Sequence, residues 1–306
     1  LKKTIRIGTR DSELALWQAH TVQNQLNALG YTTEIIAVKS TGDLILDKPL
    51  YELGITGIFT KTLDVAMLKG EVDIAVHSMK DVPTSLPKGI VQAAVLERAN
   101  TLDILVHKGN VDFLNTEGVI ATGSLRRKAQ WLHRYPSHTV EDLRGNVNTR
   151  MQKLHDHSWN GAIFAAAGLE RINLKPDTFI NLDWMIPAPA QGAMLVVAME
   201  EDTYTREALQ QLNHKETEIC TTIERNFLKT LEGGCTAPIG ALATIEKDSI
   251  SFEGVLFSLD GKEKHYIKKS CNFVDYKSFG ENCAQIILEQ GGAVLMQQLR
   301  SQLKVK

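Results

Sequence analysis

An α/β protein of three domains is the fold class that this sequence predicts, and three observations predict it. Strand-like and helix-like segments alternate through the first two thirds of the chain, the pattern of helices laid on a largely parallel sheet. The last third changes character, to stretches that alternate apolar and polar residues as antiparallel strands do. The chain has 306 residues, more than one hydrophobic core usually organises.

The elements follow in order. TIRIG (4–8) is a strand. Asp11 or Ser12 can cap the helix after it, where Ala15, Ala19, Val22, Leu26 and Leu29 keep helical spacing and Gly30 stops the run. TEIIAVKS (33–40) is the next strand, residues 59–69 form an amphipathic helix, and VDIAVHS (72–78) and GIVQAAVL (89–96) are buried strands. A second α/β unit begins near residue 97. It holds a strand at VIATG (119–123), a helix from Ser124 to about Tyr135, a helix after RGNVNTR ending near His157, and a buried strand at GAIFAAAG (161–168). Pro187, Pro189, Gln191 and Gly192 mark a loop, after which MLVVAM (194–199) is expected to return to the first sheet. Domain one is then discontinuous (1–96 and 193–213), domain two is 97–192, and the two crossovers form a two-segment hinge. The third domain, 214–306, is a small α+β unit: a helix over 214–231, strands in SISFEGVLFSLDG and KEKHYIKKSC, and one closing amphipathic helix from Tyr276.

Composition removes several classes. The net charge of -2 and 6% aromatic content argue against a protein that coats nucleic acid. No apolar run reaches the length of a membrane span, and the opening LKKTIRIGTR has no apolar signal core, so the expectation is a cytoplasmic protein. The four cysteines, Cys220, Cys235, Cys271 and Cys283, form no C-x-x-C pair and have no His at zinc spacing, so no metal site is expected. Cys220 shares an apolar helical face with Ile223 and Phe227 and belongs to a core.

Three sets of residues can carry chemistry. In HSMKDVPTSLP (77–87) a buried strand ends in His77, Ser78, Lys80 and Asp81, and ligands of open α/β sheets sit at the carboxyl ends of strands. The same residues also suit a polar turn stopped by Pro83. The second set is arginines at helix starts. Arg126 and Arg127 lie in a first helical turn, where each cation costs a few tenths to about 1 kcal/mol unless an anion is present. Arg144 and Arg150 bracket another helix start and Arg10 precedes a third, a pattern that suggests one anion-lined cleft but is also open to solvated surface arginines. Arginine forks suit a ligand with several carboxylates, and no phosphate-binding glycine motif is present. The third is Cys235 in GGCTAP, which two glycines leave accessible as a nucleophile or attachment point, or as a small residue packed in a turn.

Together these pieces resemble the porphobilinogen deaminase family. The resemblance rests on TRDSELALWQA (9–19), STGDLILDKPL (40–50), HSMKDVP (77–83), GSLRRKAQ (123–130), LRGNVNTR (143–150), AAAGLERI (165–172), PAPAQGAM (187–194) and LEGGCTAPIG (231–240), in this order and spacing. It implies two α/β domains like the halves of a periplasmic-type binding protein, with a third domain carrying the cysteine loop. It implies a dipyrromethane cofactor held by Cys235 through a thioether, onto which four porphobilinogen units are joined with loss of ammonia before hydroxymethylbilane is released. Asp81 matches the catalytic aspartate. Lys80, Ser78, Ser12, Thr122, Ser124, Arg126, Arg127, Arg144 and Gly145 would contact the cofactor, and Arg10, Arg150, Arg171, Gln191 and Phe59 the substrate. Phe59 also suits a core position at a helix start. In YELGITG (51–57), Glu52 and Thr56 stand where many relatives carry lysines. The implied molecule is a monomer that takes a small-molecule substrate and neither nucleic acid nor membrane. The rival readings are a non-catalytic binding protein for an anion, which needs neither Cys235 nor Asp81, and a nucleic-acid binder using the arginines of 126–150.

Overall fold

The computed structural model describes residues 3–38, 60–231 and 237–304. Cys235, Phe59, Glu52, Thr56 and the whole 40–50 motif lie outside the described residues. The contacts resolve into two compact units: one holds the described residues up to Ala99 together with Gly192–Glu218, the other Asn100–Gln191 together with Ile219–Lys306.

The first unit starts with β1 (Ile5–Arg10), α1 (Glu13–Ala28), β2 (Thr33–Val38), α2 (Lys61–Leu68), β3 (Ile74–Ser78) and β4 (Ile90–Val95). Ala15, Ala19, Val22 and Leu26 are buried along one stripe of α1, because steps of three and four residues keep one face toward the sheet. The predicted fifth member, Leu29, lies past the last turn and is 44% exposed.

The chain then builds the second unit with β5 (Asp103–His107), β6 (Val119–Ala121), α3 (Leu125–Arg134), β7 (Thr139–Glu141), α4 (Val147–Asp156), β8 (Gly161–Ala165), α5 (Ala166–Arg171) and β9 (Phe179–Asn181). The predicted strand 161–168 therefore stops at Ala165. Its last alanines open a helix, which alanine favours and an apolar run does not distinguish from a strand. The sheet runs β7-β6-β8-β5-β9.

On its return the chain forms β10 (Met194–Met199), which enters the first sheet between β3 and β4, in the order β2-β1-β3-β10-β4. The predicted return is borne out. The sheet is mixed instead of largely parallel, because β10 runs antiparallel to both of its neighbours. The second sheet is mixed likewise, with β5 antiparallel to β8 and β9.

Then come α6 (Thr203–Gln210), α7 (Lys215–Thr230), β11 (Ile239–Glu246), β12 (Ser249–Phe257), β13 (Lys264–Asn272), α8 (Tyr276–Ile287) and α9 (Ala293–Lys304). The last three strands form an antiparallel sheet, β11-β12-β13. Cys220, Ile223, Phe227, Phe252, Cys283, Ile287 and Leu299 form its core, as predicted for Cys220. The expected single closing helix is two, because helical dihedrals break at Gln290 and Gly291.

Candidate active site

In the first unit the carboxyl end of β3 passes straight into a short 3-10 turn, Met79–Asp81, which carries Lys80 and Asp81. Arg10 ends the parallel neighbour β1, and Ser12 is the residue before α1. Parallel pairing of β1 with β3 brings these carboxyl ends to the same edge. Arg10, Ser12, Ser78 and Asp81 accordingly line one cavity of about 70 Å³, with His77 and Gln18. A liquid water takes about 30 Å³, so the cavity is scaled to one small polar group such as a carboxylate.

Gln18 was not selected from the sequence, whereas His77 was named there with Ser78, Lys80 and Asp81. The amide of Gln18 is buried and donates to Ser78 Oγ at 2.9 Å, fixing that hydroxyl. Burial, and then the charge of Arg10, push the His77 imidazole down to about 4, so it is neutral at pH 7. Its Nε2 is buried with no hydrogen-bond partner. The signal available for Gln18 in the sequence was a polar residue on the apolar stripe of α1.

In the second unit, Ser124 caps α3 by accepting from Arg127 N at 3.4 Å, and Thr122 Oγ1 accepts from Ser124 N at 3.3 Å. Arg126 and Arg127 are 4% and 6% exposed and both meet Asp103, which is fully buried. Arg126 Nη1 donates to Asp103 Oδ2 at 2.7 Å, and Arg127 Nε to Asp103 Oδ1 at 2.9 Å. Gln191 Nε2 donates to the same Oδ1 at 3.0 Å and to Thr101 O at 2.8 Å. The anion called for by two cations at a helix start is thus present within the fold. Arg126 Nη1 also donates to Ile186 O at 2.8 Å, while its Nε is buried without a hydrogen-bond partner. Gln191 itself is fully buried. The backbone before it is anchored by Glu224, whose carboxylate accepts from Ala190 N at 2.6 Å and from Ala243 N at 2.8 Å.

Asn146 caps α4 by accepting from Thr149 N at 2.9 Å. Arg150 turns back to donate to Gly145 O at 2.7 Å. Gly145 has φ of 115°, and a Cβ there would meet the Thr149 side chain at 2.7 Å, so only glycine fits that turn. Burial lowers Arg126, Arg144 and Arg171 below the ordinary guanidinium value, Arg171 to about 10, against the opposing pull of Asp103, Asp142 and Glu170 respectively. Such cations are stabilised by any anion that arrives.

The site residues thus fall into two sets. Arg10, Ser12, Ser78, Lys80 and Asp81 belong to the first unit; Thr122, Ser124, Arg126, Arg127, Arg144, Gly145, Arg150, Arg171 and Gln191 belong to the second. Arginine donors with small hydroxyls suit a carboxylate-bearing cofactor, and the partnerless buried Nε of Arg126 fits that assignment. Among the described residues, no group of three or more His, Cys, Asp or Glu side chains could hold a metal ion, and no helix is long and apolar enough to cross a membrane.

Comparison with known proteins matches residues 5–207 to the family model "Porphobilinogen deaminase, dipyromethane cofactor binding domain" and residues 218–289 to "Porphobilinogen deaminase, C-terminal domain". A porphobilinogen deaminase of Chloroherpeton thalassium is 43% identical over 276 residues, covering 88% of this chain and 87% of that protein. One from Pelotomaculum thermopropionicum is 39% identical over 308 residues, covering 99% of each. Among solved structures, the methionine-binding protein MetQ aligns over 68% of this chain and 89% of that one, at 13% identity and a TM-score of 0.45.

Proposed function

The chain belongs to the porphobilinogen deaminase family, and from that membership we propose how its own residues perform the family's reaction. The reaction deaminates porphobilinogen and joins four units head to tail on a dipyrromethane cofactor, releasing the linear tetrapyrrole hydroxymethylbilane. The finer assignment is a hydroxymethylbilane synthase, a transferase, acting as a cytoplasmic monomer with no nucleic-acid partner. Its domains are 1–96 with 193–213, 97–192, and 214–306.

The observation that carries the residue assignment is the shared cavity of Asp81, Arg10, Ser12 and Ser78 at the carboxyl end of β3. When bound, the dipyrromethane supplies the ring to which incoming units are joined, and Cys235 is the residue that would hold it. Arg126, Arg127, Arg144 and Gly145, with Ser12, Ser78, Lys80, Thr122 and Ser124, bind and orient its acetate and propionate groups. Arg10, Arg150, Arg171 and Phe59 bind the substrate. Gln191 acts through Asp103 by holding the carboxylate that Arg126 and Arg127 share.

Departure of ammonia leaves positive charge on the substrate ring, and Asp81 is the carboxylate placed to stabilise it and to take the pyrrole proton. Opposite charges about 4 Å apart at an effective dielectric near 20 attract by about 4 kcal/mol. If that attraction develops mainly in the transition state, it is worth about a thousandfold in rate.

Intact-mass spectrometry after denaturation, with turnover assays, tests the assignment. Wild type should carry an adduct of two linked pyrroles, absent from Cys235→Ala. Asp81→Asn should keep the adduct and lose about a thousandfold in turnover. A wild type that stays unmodified after incubation with porphobilinogen would remove Cys235 from its role, and near-normal turnover in Asp81→Asn would remove Asp81.

A further inference from the structure

We propose that a groove in the second unit, formed by the last turn of α3, the 184–186 segment and the facing strands β12 and β13, is a binding site for a nitrogen heteroaromatic carboxylate of one or two rings. The proposal stands independently of the catalytic reading, because none of the residues lining the groove is assigned to the cofactor or the substrate.

The groove encloses about 370 Å³ and is lined by Gln130, His133, Arg134, Trp184, Ile186, Val255, Phe257 and Lys264. That volume falls within the range of about 300–1,000 Å³ typical of small-ligand sites, and the mix of an apolar floor with a few polar groups is typical too. The floor is preformed. Ile186 O accepts from Gln130 Nε2 at 2.9 Å and from Arg126 Nη1 at 2.8 Å, and Ile186 N donates to Gln130 Oε1 at 2.9 Å. Ala129, Val255 and Phe257 pack as one buried cluster against Ile186.

Charge chooses the ligand. Arg134 and Lys264 are exposed cations, and neither makes an ion pair with a carboxylate among the described residues. No Asp or Glu lines the groove. Each cation instead lies over aromatic rings: the Arg134 guanidinium 4.9 Å from the Trp184 centroid, and Lys264 Nζ 5.8 Å from Phe257 and 5.1 Å from Tyr266. A guanidinium stacked on a ring still offers its in-plane N–H edge to a carboxylate. The Arg134 Nε contact with Tyr135 Oη, at 3.4 Å, is long and replaceable. The half-buried Trp184 ring supplies an aromatic surface for a flat ligand, and the buried Phe257 backs the floor.

His133 adds the preference for a ring nitrogen. Its Nδ1 lies 2.8 Å from Gly261 O, a carbonyl, so Nδ1 carries the proton and donates. In the neutral ring Nε2 is then an acceptor, suited to a ligand N–H.

Titration calorimetry with indole-3-acetate tests this, since that probe has a two-ring face, a ring N–H and one carboxylate. Saturable binding to wild type near or below about 1 mM is expected, weaker by about tenfold or more in Arg134→Gln and in Lys264→Gln. Indole-3-acetamide, the same shape without the charge, should lose a similar factor. Circular dichroism checks that the exposed-site variants are folded. Absence of saturable binding to wild type, or affinity within about twofold of wild type in both variants, would overturn the proposal.

Discussion

At the scale of single residues, Asp103 settles the charge balance of the second unit. It is fully buried and receives hydrogen bonds from Arg126, Arg127 and Gln191. A carboxylate and two guanidiniums leave water together at a cost that only their mutual geometry offsets. Asp103→Asn removes the charge and nearly nothing else, leaving two buried cations uncompensated. Urea unfolding should show a loss of about 3–5 kcal/mol. A loss under about 1 kcal/mol would mean that the arginines are compensated elsewhere. The arginines were legible in the sequence because cations are unfavourable at helix starts. Asp103 was legible only as an acid set between Leu102 and Ile104, a placement that by itself demands partners but does not name them.

At the scale of elements, close approach decides one helix pair. The backbone of α8 passes so near α7 that a Cβ on Gly280 would lie 2.0 Å from Ile223 O. Helix propensity alone predicts that Gly280→Ala gains about 1 kcal/mol. The contact predicts the opposite sign, a loss of about 1–3 kcal/mol from overpacking, again read by urea unfolding. Most elements were legible where periodicity was strong, as in α1, β3, β10 and the buried face of α7. The misses have local causes. The apolar run that continues through Ala166 and Ala167 does not by itself distinguish a strand from a helix. β7 and β9 have three residues each, too few for a period to show. Leu29 continues the helical spacing of α1 beyond the point where the helix ends.

At the scale of the whole molecule, the first unit is assembled from segments far apart in sequence. β10 pairs with Ser78, His77, Val76, Ala75 and Ile74 of β3 on one side and with β4 on the other. A fragment ending at residue 99 lacks that strand and leaves β4 with no described neighbour in the sheet. Circular dichroism and urea titration of such a fragment should show no cooperative transition, and fusing residues 192–213 to it through a short linker should restore one. A folded 1–99 fragment would contradict this topology. The return of the chain was legible from the apolar run at 194–199, but its antiparallel direction was not, because an apolar strand carries no mark of its orientation. During synthesis the same insertion imposes a wait. About a hundred residues separate β4 from β10, and ribosomes add roughly 5–20 residues per second. For some 5–20 seconds the nascent sheet therefore presents an unfilled slot whose backbone donors and acceptors would bind any passing strand, an interval in which chaperone supply would govern the yield of this protein.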